Sequence, residues 1–242
     1  MYRYLDNNCF SICAIDLPRK VRIKKRKEKK TETKDTNARN GRTYEDFQKW
    51  IALHPDSSIV EMDTVEGVKG GKVLLTFLFR TSKLMLVFLL PDKTQKSVLE
   101  VFNYLERLLG IETFVKIFSV ILTDNGSEFG NPKSLEFNSE DLLRTRLFYC
   151  DARASYQKGM LEKNHEFIRY VLPKGSSFDD LTQNDITLMI NHINSLARES
   201  LNWATPFELA KIFIGKDTLK KLNLKKVPAV EIQLNKKLLK KI

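Results

Sequence analysis

Cysteine, histidine and long apolar runs are scarce in this sequence of 242 residues, which contains three cysteines and three histidines. Three cysteines cannot all pair, and no histidine lies near Cys9 and Cys13, so neither a disulfide framework nor a zinc site is supported. Cys150 follows three apolar or aromatic residues and is expected to be a small buried side chain.

The longest apolar runs, residues 73–79 and 84–90, are far below the roughly 18 residues that cross a bilayer, and they favour strands. Near the N-terminus, Asp6 and Asp16 interrupt the apolar stretch, which also lacks a basic leader and a small-residue cleavage site. We therefore expect no membrane contact and a protein that stays in the cytoplasm.

The formal net charge is +11, which favours a polyanionic partner, and nucleic acid more than a membrane surface. Residues 19–42 are dominated by charge, with RIKKRK at residues 22–27. Such a block cannot bury itself and is expected to be extended. It is either a solvated linker or a segment that lies along DNA phosphates, and the two interpretations are compatible. The candidate DNA contacts within it are Lys24, Lys25 and Arg26.

The apolar periodicity predicts three consecutive antiparallel strands, then a helix, two further strands and a second helix. The predicted strands are residues 58–63, 73–79, 84–90, 115–123 and 148–151, and the predicted helices are residues 44–52, 98–109, 159–172 and 182–200. This order is that of the α/β ribonuclease H-like fold, a mixed sheet flanked by helices. We expect a basic segment with a short helix at residues 1–55, the catalytic core at 56–200 and a helical extension at 201–242.

Two acids, Asp63 and Asp124, end predicted strands that this order places side by side. An acid at the end of an apolar strand is unusual, because a partly buried carboxylate is costly without a cation or hydrogen bonds. Either acid alone is nevertheless more often an ordinary turn residue. With Glu162 on the following helix they converge on one point. Three gathered carboxylates repel one another, and a pair of hard divalent cations would neutralise them.

Three segments resemble the transposase and retroviral-integrase superfamily whose catalytic acids are Asp, Asp and Glu. They read EMDTV at residues 61–65, VILTDNGSEF at 120–129 and QKGMLEKN at 157–164, with 37 residues between Asp124 and Glu162. Further segments resemble family thirty of the bacterial insertion-sequence transposases: KVLLT at 72–76, LPDKT at 90–94, YCD at 149–151, LPKG at 172–175 and TPFE at 205–208. The likeness covers about residues 56–210. It departs at Tyr156, where many members have tryptophan.

The resemblance implies a DNA strand-cutting and strand-joining enzyme that works by two-metal phosphoryl transfer. Asp63 would bridge two Mg²⁺ ions, for which Mn²⁺ would substitute, while Asp124 and Glu162 would each hold one. Double-stranded DNA, both element ends and target, would be bound by a homo-oligomer on the bacterial nucleoid. Basic side chains near Glu162 are further candidate DNA contacts: Lys158, Lys163 and Arg169.

Other assignments stay open at this point. His165 is either a group that orients DNA or metal-bound water, or an ordinary helix residue, and Gly126 either supplies a permissive backbone or marks a plain turn. Transposases of this family usually carry a helix-turn-helix region in front, which we do not find, so a truncated copy or the product of a split gene is expected. Two alternative functions remain: a catalytically unproductive DNA-binding remnant, and a structure-directed nuclease of the same fold.

Overall fold

The computed structural model describes residues 39–152 and 154–239, and the candidate DNA contacts Lys24, Lys25 and Arg26 lie outside these ranges. A five-stranded sheet has the order β3-β2-β1-β4-β5. Strand β2 is antiparallel to both β1 and β3, and β4 and β5 run parallel to β1. The strands are β1 (Ile59–Glu66), β2 (Val73–Phe79), β3 (Met85–Leu90), β4 (Val120–Thr123) and β5 (Arg146–Tyr149).

Eight α-helices are found in the described ranges. They are α1 (Tyr44–Leu53), α2 (Gln95–Leu109), α3 (Ile111–Ile117), α4 (Pro132–Glu136), α5 (Gly159–Val171), α6 (Gln183–Ser195), α7 (Pro206–Phe213) and α8 (Lys216–Lys221). Capping boxes begin α1, α6 and α7, where an N-cap threonine and an acid three residues later satisfy backbone N–H groups reciprocally. None of the described helices is long and apolar enough to cross a membrane.

Strand β2 lies between β3 and β1, and all of its residues are buried. Its apolar side chains face the helices on both sides, as expected for an inner strand. Helix α2 presents its buried face, including Val98, Phe102 and Leu105, to the same core. A second, smaller cluster joins α1 to β4 and β5, where the rings of Phe47 and Phe148 lie 5.8 Å apart.

Side chains and loop carbonyls cover both outer strands of the sheet. On β3, Asn194 of α6 accepts the N–H of Met85 at 2.9 Å and donates to its carbonyl at 2.9 Å. At the other end of α6, Gln183 accepts the N–H of Leu89 at 2.8 Å. On β5, the Leu147 N–H is bound by the Glu136 carboxylate at 3.0 Å, and the Tyr149 N–H by the carbonyl of Arg42 at 2.8 Å. These groups therefore have partners although no further strand is present in the described ranges.

The strand order and directions confirm the predicted ribonuclease H-like fold. The strand predicted at residues 115–123 is wrong in its first half, because residues 115–117 belong to α3, which buries Phe114 and Ile117 three residues apart. Strand β1 continues through Glu66 because it stays paired with β2, so Asp63 lies within the strand instead of ending it. The three proposed domain boundaries stay a prediction.

Candidate active site

Asp63 and Asp124 lie at the point where two parallel strands run side by side. Strand β1 pairs with β4 as far as Glu61 opposite Leu122, and continuing that register by two residues sets Asp63 beside Asp124. The hydroxyl of Thr123 donates to the carbonyl of Met62 at 3.1 Å, which holds the strands together there. Asp124 follows β4 directly, and its carboxylate accepts the N–H of Gly126 at 2.9 Å.

Glu61 docks the first turn of α5 onto the sheet. Its carboxylate, which is 1% exposed, accepts the N–H of Leu161 at 2.8 Å and the Nε–H of Arg80 at 2.7 Å. Arg80 also donates to the carbonyl of Gln157 at 2.9 Å. The side chain of Glu61 thus binds one of the orphan N–H groups at the start of this helix. As a result, Glu162, the residue after Leu161, has a fixed position relative to β1.

One side of α5 and the turn before it faces Asp63 and its neighbours on the sheet. The Lys158 ammonium lies 3.2 Å from the Asp63 carboxylate and donates to the carbonyl of Met62 at 3.2 Å. His165 contacts Thr76, the residue opposite Asp63 on β2, at 2.9 Å. Arg169 donates to the carbonyl of Glu66 at 3.0 Å. Residues 158, 162, 165 and 169 are separated by four, three and four positions, which is the spacing of neighbours on one side of a helix. Glu162 therefore shares the side of α5 on which Lys158, His165 and Arg169 lie.

Glu162 itself is exposed, and its carboxylate has no hydrogen bond or ion pair with any described residue. No group of three or more histidine, cysteine or acidic side chains within residues 39–152 and 154–239 is placed to hold a metal ion. The two aspartates are thus adjacent and Glu162 is on the helix facing them, but the three carboxylates are not gathered. In this arrangement the positive charge next to Asp63 is the ammonium of Lys158.

The candidate DNA contacts on α5 and its preceding turn differ in accessibility. Lys158 is 4% exposed, and its ammonium is directed at Asp63 and not at solvent. The guanidinium of Arg169 donates one hydrogen bond to the carbonyl of Glu66. Lys163 is exposed.

Glu128 belongs to a separate acidic cluster beside the same strand. Its carboxylate accepts the hydroxyl of Thr64 at 2.7 Å and lies 3.4 Å from the ammonium of Lys93. Because neighbouring strand residues point to opposite faces, Thr64 and Glu128 lie on the face of β1 away from Asp63. A Cβ on Gly126 would stand 2.5 Å from the Glu128 carboxylate, whereas the φ of Gly126 is −59°. A side chain at position 126 would therefore displace the Glu128 carboxylate, whereas the backbone conformation does not call for glycine.

Burial sets the charge state of two further groups near the aspartates. It lowers the pKa of His165 to about 4, so the imidazole is neutral at pH 7. It raises the pKa of the Cys150 thiol to about 12, and the burial of Cys150 confirms the small buried side chain predicted from the sequence. Neither group supplies a charge to the site at neutral pH.

Several curated proteins are similar to this chain, although no protein-family model matches it. A "Putative integrase ORF3" of Spiroplasma virus SpV1-R8A2 B is 29% identical over 150 residues, which cover 62% of this chain and 44% of that protein. A probable transposase for the insertion-like element IS1161 of Streptococcus salivarius is 29% identical over 196 residues, 79% and 52% of the two chains. The chain is similar to insertion-sequence transposases. Among these relatives is the transposase InsI for IS30C of Escherichia coli, 25% identical over 149 residues, 62% and 37% of the chains.

The family thirty resemblance predicted from the sequence is thus confirmed by a transposase of an IS30 element. The chain spans about half the length of the first curated transposase and integrase relatives. Among solved structures, the catalytic core domain of BIV integrase is similar with a TM-score of 0.47 and 18% identity, covering 68% of this chain and 98% of that one.

Proposed function

We propose that this chain is the catalytic region of an insertion-sequence transposase, which cuts DNA strands and joins the exposed 3′-hydroxyl to target DNA. The observation that carries the proposal is the placement of Asp63 beside Asp124, facing the helix whose first turn bears Glu162. The transposase and integrase relatives support the same reaction class. Double-stranded DNA would be the substrate, with copies of the chain assembled on it and the protein located on the nucleoid in the cytoplasm.

The donor set fits a hard divalent cation. Carboxylate oxygens are the ligands that Mg²⁺ accepts, and it retains several waters, so three acids are sufficient. Bound Mg²⁺ or Mn²⁺ would activate the attacking water or hydroxyl and stabilise the leaving oxygen. Asp63 would contribute to both ion sites, and Asp124 and Glu162 to one each. Gathering the three carboxylates would require the side chain of Glu162 to approach the aspartates.

The remaining residues position these acids. Glu61 fixes the start of α5, and the hydrogen bond from the Gly126 N–H directs the carboxylate of Asp124. His165 is neutral and holds Thr76, whose hydroxyl donates to the Asp63 carbonyl at 3.0 Å. No side chain needs to form a covalent bond with DNA, since water or a 3′-hydroxyl attacks the phosphate directly.

The proposal is tested with labelled double-stranded DNA, blunt or with a pre-cut 3′ end, incubated with Mg²⁺ or Mn²⁺. We expect Asp63→Asn, Asp124→Asn and Glu162→Gln each to lower cleavage and joining by at least about 100-fold, because several kcal/mol of charge stabilisation depends on the ions. Circular dichroism and DNA affinity should stay near wild type. The matched control is Glu166→Gln, which makes the same change one turn further along α5 and should retain activity.

Three results would contradict the proposal. Near-normal joining by any of the three variants would remove that residue from the site. Nicking without joining of a pre-cut end would favour a structure-directed nuclease. Wild-type protein that binds DNA and metal ions but does neither reaction would identify the unproductive remnant.

A further inference from the structure

The ion pair between Lys158 and Asp63 occupies the centre of the candidate site. The ammonium lies 3.2 Å from the carboxylate oxygen Oδ2, and the two side chains are only 6% and 20% exposed. A second contact, 3.2 Å to the carbonyl of Met62, places the ammonium against the backbone of β1. Removing an ammonium group from water is costly unless an opposite charge compensates it. Lys158 is therefore held there by Asp63.

The position of this ammonium conflicts with the proposed metal site. A divalent cation bound by Asp63 would need the carboxylate that Lys158 now neutralises, and two cations at one carboxylate repel each other. The nearby imidazole of His165 is neutral and does not compete. Among the described residues, Lys158 is the cation that forms an ion pair with Asp63.

We propose that Lys158 is a positioning residue that stands in for the metal ion in the metal-free protein and is displaced from Asp63 when the ion binds. The released ammonium then becomes available to a DNA phosphate beside the site. This inference rests on the proposed function, because it assumes that Asp63 binds the ion.

The local structure allows the side chain to leave while its backbone stays in place. Lys158 ends a 3-10 turn, Ser155–Lys158, that leads directly into α5. Gln157 fixes this turn through two hydrogen bonds of 2.8 Å with Asp151, one to its N–H and one to its carboxylate. Lysine carries its charge on a flexible four-carbon chain, so rotation of that chain suffices.

The first test measures Mn²⁺ affinity by calorimetry in wild type, Lys158→Met, Asp63→Asn and the matched control Lys163→Met. Lys158→Met removes the competing cation and should bind Mn²⁺ at least about tenfold more tightly than wild type. Lys163→Met removes an exposed lysine of α5 and should bind like wild type. Asp63→Asn should lose the site.

The second test uses wild-type protein, so it does not depend on how any variant folds. Lysine amines are modified with an acylating reagent, and the rate at each lysine is read by mass spectrometry. Without metal ions, Lys158 should react slowly and Lys163 quickly. Saturating Mn²⁺ should raise the Lys158 rate by about tenfold or more, since the pair that protects it is broken, and leave the Lys163 rate unchanged.

The outcomes separate this inference from the proposed function. If Asp63→Asn abolishes Mn²⁺ binding while Lys158→Met binds like wild type and Lys158 stays protected, the displacement is overturned and the metal site stands. If Asp63→Asn binds Mn²⁺ like wild type, both the site and the displacement are overturned. Tighter binding by Lys158→Met together with metal-dependent labelling of Lys158 supports the inference.

Discussion

His165 illustrates how a single buried side chain connects the sheet to the candidate site. Its Nε2 lies 2.9 Å from the hydroxyl of Thr76, and that hydroxyl donates to the carbonyl of Asp63. Because the hydroxyl proton is used there, the imidazole is the donor in its contact with Thr76, which requires a protonated Nε2. Burial keeps the ring neutral by lowering its pKa to about 4.

The shifted pKa of His165 predicts a loss of stability in mild acid. Between its unfolded pKa of about 6.5 and its folded pKa of about 4, the unfolded chain binds a proton that the folded chain does not. The contribution of His165 to the free energy of unfolding is therefore constant above pH 6.5 and falls by about 1.4 kcal/mol per pH unit between pH 6.5 and about 4. We expect His165→Gln to lose this part of the slope. Urea unfolding at a series of pH values measures it, and parallel curves for the two proteins between pH 6.5 and 4 would contradict the assignment.

At the scale of elements, the attachment of α5 to β1 depends on a buried carboxylate. Glu61 binds both Arg80 and the backbone of Leu161, which lies 100 residues away in sequence. Removing one partner of such a buried pair leaves the other charge uncompensated. The helix that carries Glu162 is thus held on the sheet by a group that positions it and has no direct part in the proposed chemistry.

We predict that Glu61→Gln lowers the free energy of unfolding by about 3 kcal/mol, because Arg80 loses its partner. The matched control is Glu66→Gln on the same strand, where the pair with Lys93 is exposed and its loss should cost less than about 1 kcal/mol. Urea unfolding compares the two, and hydrogen exchange should be faster in the first turn of α5 only for Glu61→Gln. Equal losses of stability would contradict the anchoring role.

The elements that could be predicted from sequence are those with a strong local pattern. Helix α2 has apolar residues at helical spacing before Gly110, and β2 and β3 are short apolar runs around a turn. The end of α3 could not be predicted, because residues 115–123 are apolar enough for either a helix or a strand. The three acids could be identified as candidates from the motifs that contain them. The contacts of Lys158 with Met62 and of Glu61 with Leu161 could not be predicted, because they join residues 96 and 100 positions apart in sequence. An acid at position 61, two before Asp63 on the same strand face, was the available signal for Glu61.

For the molecule as a whole, the net charge of +11 predicts DNA binding without strong sequence preference. We expect affinity for unrelated duplexes to be similar and to fall steeply with salt. Reversing the charges of Lys24, Lys25 and Arg26 should weaken binding to all duplexes by a similar factor and reduce the logarithmic salt slope by about 3, close to one per phosphate contact.

The control for that experiment changes net charge by the same amount elsewhere. It reverses the exposed lysines of α8, Lys216, Lys220 and Lys221, and should leave the salt slope near wild type. Fluorescence anisotropy across a salt series measures both variants. A marked preference for one short duplex that persists at high salt would contradict the prediction and indicate a base-reading element in this chain.

The covered strands β3 and β5 limit how copies of this protein can associate. A sheet grows from chain to chain only where an outer strand presents unpaired backbone groups, and such strands also template fibrils. Here Asn194 and Gln183 bind backbone groups of Met85 and Leu89 on β3, while Glu136 and the carbonyl of Arg42 bind the N–H groups of Leu147 and Tyr149 on β5. A strand from a second copy would have to displace these partners before it could pair with the same backbone groups, which disfavours cross-β growth at those positions.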